Sequence, residues 1–243
     1  MPATPATPAA PGHIARRTWR CAAVLCALFV VLLVLVACSW GPLISLDRRV
    51  ADGLHPLAVG HQGWTRVVRW LSGVLWDPWT MRAVLAIAAI RLARRREWLL
   101  VVWIAVTSAL GTVLQQTLKA AVGRSRPRWP DPVATASYQA FPSGHALTAT
   151  VTCGLLVWLL WLHRSRAGVI RVTWAASAVS VIGVGFTRLY LGVHWLSDVV
   201  AGWLLGGALV SASAWAYEVL VRGRADERGL CITRITRLTR RTR

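Results

Sequence analysis

Apolar runs approaching the roughly 20 residues that a helix needs to cross a bilayer core recur along this chain, and they limit what it can fold into. They lie at 21–40, 98–122, 144–162, 172–190 and 195–221, with a shorter one at 79–93. The hydrophobic share of 56% and the mean hydropathy of +0.51 exceed those of an ordinary soluble protein. The expected class is an all-α membrane protein with six transmembrane helices and a short surface helix.

Residues 1–15 are rich in Pro, Ala and Thr, have nothing to bury and are expected to be disordered. Arg16, Arg17 and Arg20 then precede the first apolar run. Leu35-Val36-Ala37-Cys38 resembles a lipoprotein cleavage box. An uncleaved first span is favoured, because the run approaches spanning length and the later spans need a partner. The segment 41–64 is polar and punctuated by Pro42, Gly53, Pro56, Gly60 and Gly63, so it reads as a loop. Residues 64–76 set Arg66 and Arg69 among Trp64, Val67, Val68, Trp70 and Leu71, the spacing of an amphipathic helix on the membrane surface.

The second span, 79–93, carries Arg82 and is only 15 residues long, so it is short or borrows from the segment before it. After the third span, Pro127, Pro130, Pro132 and Pro142 rule out a continuous helix. Gly183, Gly185, Gly202, Gly206 and Gly207 suit close helix packing in lipid. The organisation expected is a disordered segment (1–15), one six-helix membrane domain (16–221) and a basic cytoplasmic tail (222–243). In the tail, Ile232, Ile235 and Leu238 are spaced by three among arginines. That pattern fits either a disordered tail or a weak amphipathic helix on anionic lipid.

The formal net charge of +19 would suggest nucleic acid if the chain were soluble. Here the arginines flank the spans, where they meet anionic head groups, and no soluble module remains to bind nucleic acid. The expected partners are membrane lipids. With the amino terminus in the cytoplasm, Arg91, Arg94, Arg95, Arg96, Arg164, Arg166 and Arg171 fall inside with the tail. Both termini are then cytoplasmic, and the chain is a multi-pass protein of the plasma membrane. Cys21, Cys26, Cys38, Cys153 and Cys231 form no close CxxC pair and read as small apolar fillers.

In this topology three polar runs reach the extracytoplasmic face. Lys119, the only lysine, closes the third span, with Arg126 seven residues on. Ser143, Gly144 and His145 open the fourth span. Arg188 nears the end of the fifth, and His194 and Asp198 stand at the mouth of the sixth at helical i,i+4 spacing. Lys119, Arg126 and Arg188 around one point repel each other unless an anion lies between them, and phosphate matches arginine forks and a lysine point charge. Gly144 lets the backbone approach closely, and amides at the start of the fourth span add donors at a positive helix end. Asp198 can fix the tautomer of His194, leaving its other nitrogen as a nucleophile, and His145 can serve as acid and then as base.

Taken singly, these residues have plainer roles. Lys119 can snorkel to the interface, the arginines can anchor head groups, and a His–Asp pair at this spacing is commonly a local structural bond. A divalent metal finds a poor electrostatic home among three cations, so no metal or cofactor is expected.

The runs Lys119-x6-Arg126-Pro127, Pro142-Ser143-Gly144-His145 and Thr187-Arg188-x5-His194-x3-Asp198 together resemble the type 2 phosphatidic acid phosphatase family, the lipid phosphate phosphatases. The chain departs from the family pattern at Thr187, where a serine is usual and the hydroxyl is kept. The motifs span 119–198, and the six-helix layout extends the likeness over roughly 20–221. The resemblance implies a metal-independent membrane phosphatase working through a phosphohistidine, with His194 as nucleophile, Asp198 as its orienter and His145 as the acid. Lys119, Arg126, Ser143, Gly144 and Arg188 would form the phosphate cradle. It also implies substrates such as phosphatidic acid, lysophosphatidic acid, phosphatidylglycerol phosphate or undecaprenyl pyrophosphate. Two other readings stay open: a phosphotransferase that passes the phosphate to an alcohol, and a non-catalytic lipid-phosphate-binding or transport protein.

Overall fold

The computed structural model describes residues 13–222, which form eight α-helices and, among the described residues, no strand. They are α1 (His13–Ala37), α2 (Gly41–Gly60), α3 (Gln62–Trp70), α4 (Pro78–Arg94), α5 (Trp98–Val122), α6 (Gly144–Leu162), α7 (Ala167–Tyr190) and α8 (Leu196–Tyr217). A π-helical turn, Leu71–Leu75, follows α3, and a second, Glu218–Arg222, follows α8. Among the described residues, six segments are long and apolar enough to cross a membrane: Ala15–Ala37, Gln62–Arg94, Trp98–Val122, Gly144–Leu162, Ala167–Tyr190 and Leu196–Val221. Large apolar side chains such as Val24, Val31, Val102, Val172 and Ile182 stand exposed on them, as a lipid-facing surface requires. The protein is a multi-pass, all-helical membrane protein.

Local signals set the helix ends that matter for the site. Asp77 caps α4 by accepting from the Trp79 amide at 2.8 Å, with Pro78 in the first turn. Gly123, at φ +60°, ends α5 in the left-handed conformation and donates its amide to the Lys119 carbonyl at 3.0 Å. The chain therefore leaves the membrane helix one turn past Lys119. α6 lies at the centre, packed against α4, α5, α7 and α8, and is buried nearly all round. Leu147, Val151, Leu155 and Trp158 of α6 join Leu100 and Ile104 of α5 in the largest apolar cluster. The free Cys21, Cys26 and Cys38 are exposed on or beside α1, and Cys153 is buried in α6.

Four boundaries differ from the sequence expectation. The segment expected to be a loop up to Trp64 is mostly α2. Pro42 falls in its first turn, where no amide partner is needed, and Asp47, Ala51, His55 and Ala58 form one buried stripe at helical spacing. That stripe is small or polar, so hydropathy did not reveal it. The surface helix expected at 64–76 is instead α3 with its π turn, which runs on into α4 as one 33-residue candidate span, Gln62–Arg94. The short second span does borrow from the segment before it. α7 begins at Ala167, five residues before the expected start, because Arg171 sits in its second turn, where a long side chain can reach back to the helix end. α1 opens at His13, within the segment expected to be disordered. Residues 1–12 and the tail from 223, with Cys231, lie outside the described residues.

α8 crosses α6 at two glycines one turn apart. A Cβ on Gly202 would stand 2.8 Å from the Ser143 carbonyl oxygen and 2.9 Å from the Ala146 Cβ, and one on Gly206 would stand 2.8 Å from the Thr150 Cβ. Gly202→Ala is expected to destabilise the protein by about 1–3 kcal/mol, because the obstructing atoms are backbone atoms and a Cβ, none of which can rotate away. Gly53→Ala, with nothing within 4 Å of the added carbon, is the control and is expected to be neutral or slightly stabilising. Thermal unfolding of both variants in one detergent checks the contrast.

Candidate active site

The three polar runs converge at one end of the bundle, where α5 and α7 end and α6 and α8 begin. The connection 123–143 is held there by its own contacts. Arg126 donates to the carbonyls of Tyr138 (2.8 Å), Ser137 (3.1 Å) and Gln139 (3.4 Å), and Trp129 Nε1 donates to Gly192 O at 3.0 Å. The His55 ring from α2 stacks on Trp129 at 3.9 Å. A cavity of about 640 Å³, lined among others by Arg126, Arg128, Trp129, Tyr138 and Val193, opens within this connection.

His194 and Asp198 meet, but not along one helix face. α8 starts at Leu196, so His194 precedes it, and Asp198 is the third residue of its first turn. Asp198 Oδ2 accepts from the Trp195 amide at 2.9 Å and lies 3.3 Å from His194 Nδ1. A capping interaction at the helix start thus sets the pair. Arg126 Nη1 lies 3.0 Å from His194 Nε2 and also donates to Val193 O at 2.6 Å. A guanidinium only donates, so Nε2 is the acceptor, and the ring proton sits on Nδ1 facing Asp198. His194 is 2% exposed. Burial, with Arg126, Arg188 and Lys119 around it, holds its imidazole well below the usual histidine range.

The cations surround this ring without carboxylate partners. Lys119, on the last turn of α5, donates to the Gln139 carbonyl. Arg188, on the last turn of α7, donates through Nη1 to Ser72 Oγ at 3.0 Å. Among the described residues no salt bridge involves Lys119, Arg126 or Arg188. The Arg188 Nε and the Ser143 hydroxyl are buried with no hydrogen-bond partner among the described residues. His145, in the first turn of α6, interacts electrostatically with Arg188, His194, Arg126 and Lys119. Gly144 leaves room for Gln115, whose Nε2 would lie 2.7 Å from an added Cβ. Three cations and two unpartnered donors thus gather with no carboxylate in ion-pair contact among the described residues, Asp198 reaching them only from behind the ring, and an anion placed among them satisfies both the excess charge and the donors. Among the described residues, no three His, Cys, Asp or Glu side chains gather to hold a metal.

All eight residues expected at the site lie at this end of the bundle, and the structure adds three more. Ser72, in the π turn after α3, meets Arg188. Arg124 donates to Asp198 Oδ1 at 2.6 Å and Ser197 Oγ at 2.7 Å, and its other nitrogen meets Asp47 Oδ2 at 2.6 Å. Only the scarcity of acids, nine in 243 residues, could have drawn attention to Asp47 in the sequence.

The sequence profile described as the PAP2 superfamily matches residues 79–222, more than half of the chain. Phosphatidylglycerophosphatase B of Escherichia coli is 40% identical over 77 residues, 31% of this chain and 28% of that protein. An undecaprenyl-diphosphatase of Sulfolobus acidocaldarius is 39% identical over 66 residues, 27% of this chain and 28% of that protein. The chain thus spans less than a third of the length of these two curated relatives. The crystal structure of a transmembrane PAP2 type phosphatidylglycerolphosphate phosphatase from Bacillus subtilis superposes with a TM-score of 0.69 at 21% identity, over 83% of this chain and 97% of that one. Fold, motif order and profile agree: the chain belongs to the PAP2 superfamily.

Proposed function

We propose that this protein hydrolyses the phosphomonoester or pyrophosphate of a membrane lipid through a phosphohistidine on His194, without a metal. One observation carries the reading: Lys119, Arg126 and Arg188, none of them ion-paired among the described residues, stand around an imidazole whose Nδ1 proton faces Asp198. The substrate phosphate takes the place of the missing anion, drawing donors from Arg126, Arg188, Lys119 and the Ser143 hydroxyl. Arg126 Nη1 then leaves the Nε2 lone pair for a phosphate oxygen. Nε2 attacks phosphorus, the bond from phosphorus to the lipid oxygen breaks with its electron pair going to that oxygen, and His145 gives that oxygen a proton. Asp198 stabilises the cationic ring so formed, while the three cations stabilise the equatorial oxygens. Next, His145 accepts a proton from water, the water oxygen attacks phosphorus, and the P–N bond breaks, its pair returning to Nε2. The net reaction is lipid phosphate plus water to lipid alcohol plus phosphate, or, for a pyrophosphate, lipid pyrophosphate plus water to lipid monophosphate plus phosphate.

The names of the relatives support this substrate class. Arg91, Arg94, Arg164 and Arg166 cluster at the bundle end opposite the site, which supports an extracytoplasmic site in a plasma membrane. The experiment is phosphate release from a panel of lipid mono- and diphosphates in mixed micelles with excess chelator. The expected result is turnover undiminished by chelator on at least one lipid. Loss of turnover on chelation would sink the metal-free mechanism. Tight binding of lipid phosphate without turnover would mark a binding protein, and transfer of phosphate to an added alcohol in preference to water would mark a transferase.

A further inference from the structure

We propose that Asp47 and Arg124 are positioning residues for the reaction, holding Asp198 in the orientation and with the net charge that His194 needs. The inference rests on the reading of His194 and Asp198 given above.

Asp198 has one oxygen for catalysis and one for anchorage. Oδ2 serves His194 Nδ1 and the Trp195 amide, while Oδ1 is taken by Arg124. Without that anchor, the carboxylate could rotate about its own bond and offer its charge to the cations beyond the ring. An arginine alone would exact a cost, because its positive charge cancels that of Asp198 as seen from His194. Asp47 restores the balance. Its Oδ2 meets Arg124 Nη2 at 2.6 Å and the Ser197 hydroxyl at 2.6 Å, and its Oδ1 accepts from the Ser197 amide at 2.8 Å. Two carboxylates and one guanidinium carry a net single negative charge beside the imidazole that turns cationic when phosphorylated.

Burial argues that this is not ordinary structural adhesion. Asp47 is 1% exposed, Asp198 0% and the Arg124 side chain 11%. Ion pairs so deep are commonly no more stabilising than apolar packing, so their presence beside His194 fits a demand for charge at this place. The geometry also explains α2. Its buried carboxylate reaches the second residue of α8 and satisfies an amide that the helix start leaves open.

The test is a mutant cycle in the purified full chain, assayed on a lipid phosphate in micelles. Asp47→Asn keeps an acceptor for the Ser197 amide and removes the charge. It is expected to lower kcat about 10- to 100-fold with KM changed less than about threefold. Asp198→Asn is expected to lower kcat about 10³-fold, and adding Asp47→Asn to it is expected to change kcat less than about twofold further. Arg124→Lys keeps one charge but loses the fork, and it should follow the same pattern. It carries the cycle should Asp47→Asn fail to fold. Equal losses from Asp47→Asn in both backgrounds, a loss in KM alone, or no loss would overturn the proposal while leaving the mechanism standing. Full activity in Asp198→Asn would overturn the phosphohistidine reading itself, and this inference with it.

Discussion

His194→Ala is expected to lower phosphate release about 10⁵-fold while leaving KM nearly unchanged, because Lys119, Arg126 and Arg188 still bind the phosphate. The two parameters separate nucleophile from cradle: loss of a cation raises KM, whereas loss of the imidazole removes the bond-forming step. A covalent phosphoenzyme, trapped in alkali where an N–P bond survives, should be present in the parent and absent in the variant. The pH dependence is a second readout. In the folded protein, burial and three neighbouring cations hold the ring neutral well below its ordinary 6.5. The Nε2 lone pair therefore stays free as pH falls through 6.5, and kcat/KM, once corrected for ionisation of the substrate, should show no acid limb there. The unfolded chain takes up that proton near 6.5 and the folded chain does not. Folded stability therefore falls as pH drops below 6.5, and His194→Ala should flatten that slope. Turnover in His194→Ala above about one tenth of the parent would remove His194 from the mechanism.

The residues proposed to face the phosphate were legible because their spacing survives in the linear chain: helix ends fixed by hydropathy place Lys119, His145, Arg188 and His194 at one end of the bundle. The third and fourth spans agree with their expected bounds of about 98–122 and 144–162, since both are strongly apolar runs and Gly123 ends α5 in the left-handed conformation. The supporting residues were not legible, for a physical reason. Arg124 looks like any arginine flanking a span until Asp198 Oδ1 is located beside it. Asp47 lies on a helix whose buried face is Asp47, Ala51, His55 and Ala58, a stripe without the large apolar side chains that periodicity detects. Ser72 sits in a π turn, a change of register that no composition encodes. The His194–Asp198 pair was found for a partly wrong reason. The spacing suggested one helix face, whereas the contact comes from Asp198 capping the start of α8.

His145→Ala separates the two chemical steps. With a lipid alkoxide as leaving group, loss of the proton donor is expected to lower turnover about 10²- to 10⁴-fold. The ring opens α6 beside Ser143, next to Arg188 and His194, where a bound phosphate and its leaving oxygen would come within its reach. An aryl phosphate with an acidic leaving phenol needs no proton, so its first step should return to near the parent rate in the variant. The second step should not recover, because water still lacks its base. The expected signature is a rapid burst of phenol equal to the enzyme present, followed by slow turnover, with phosphoenzyme accumulating where the parent shows little. A steady rate on the aryl phosphate without a burst would assign His145 to the first step alone. Equal losses on the alkyl and aryl substrates in that first step would mean that His145 shapes the anion pocket and moves no proton. That outcome would leave the Ser143 hydroxyl, buried and without a partner among the described residues, as a further donor to test.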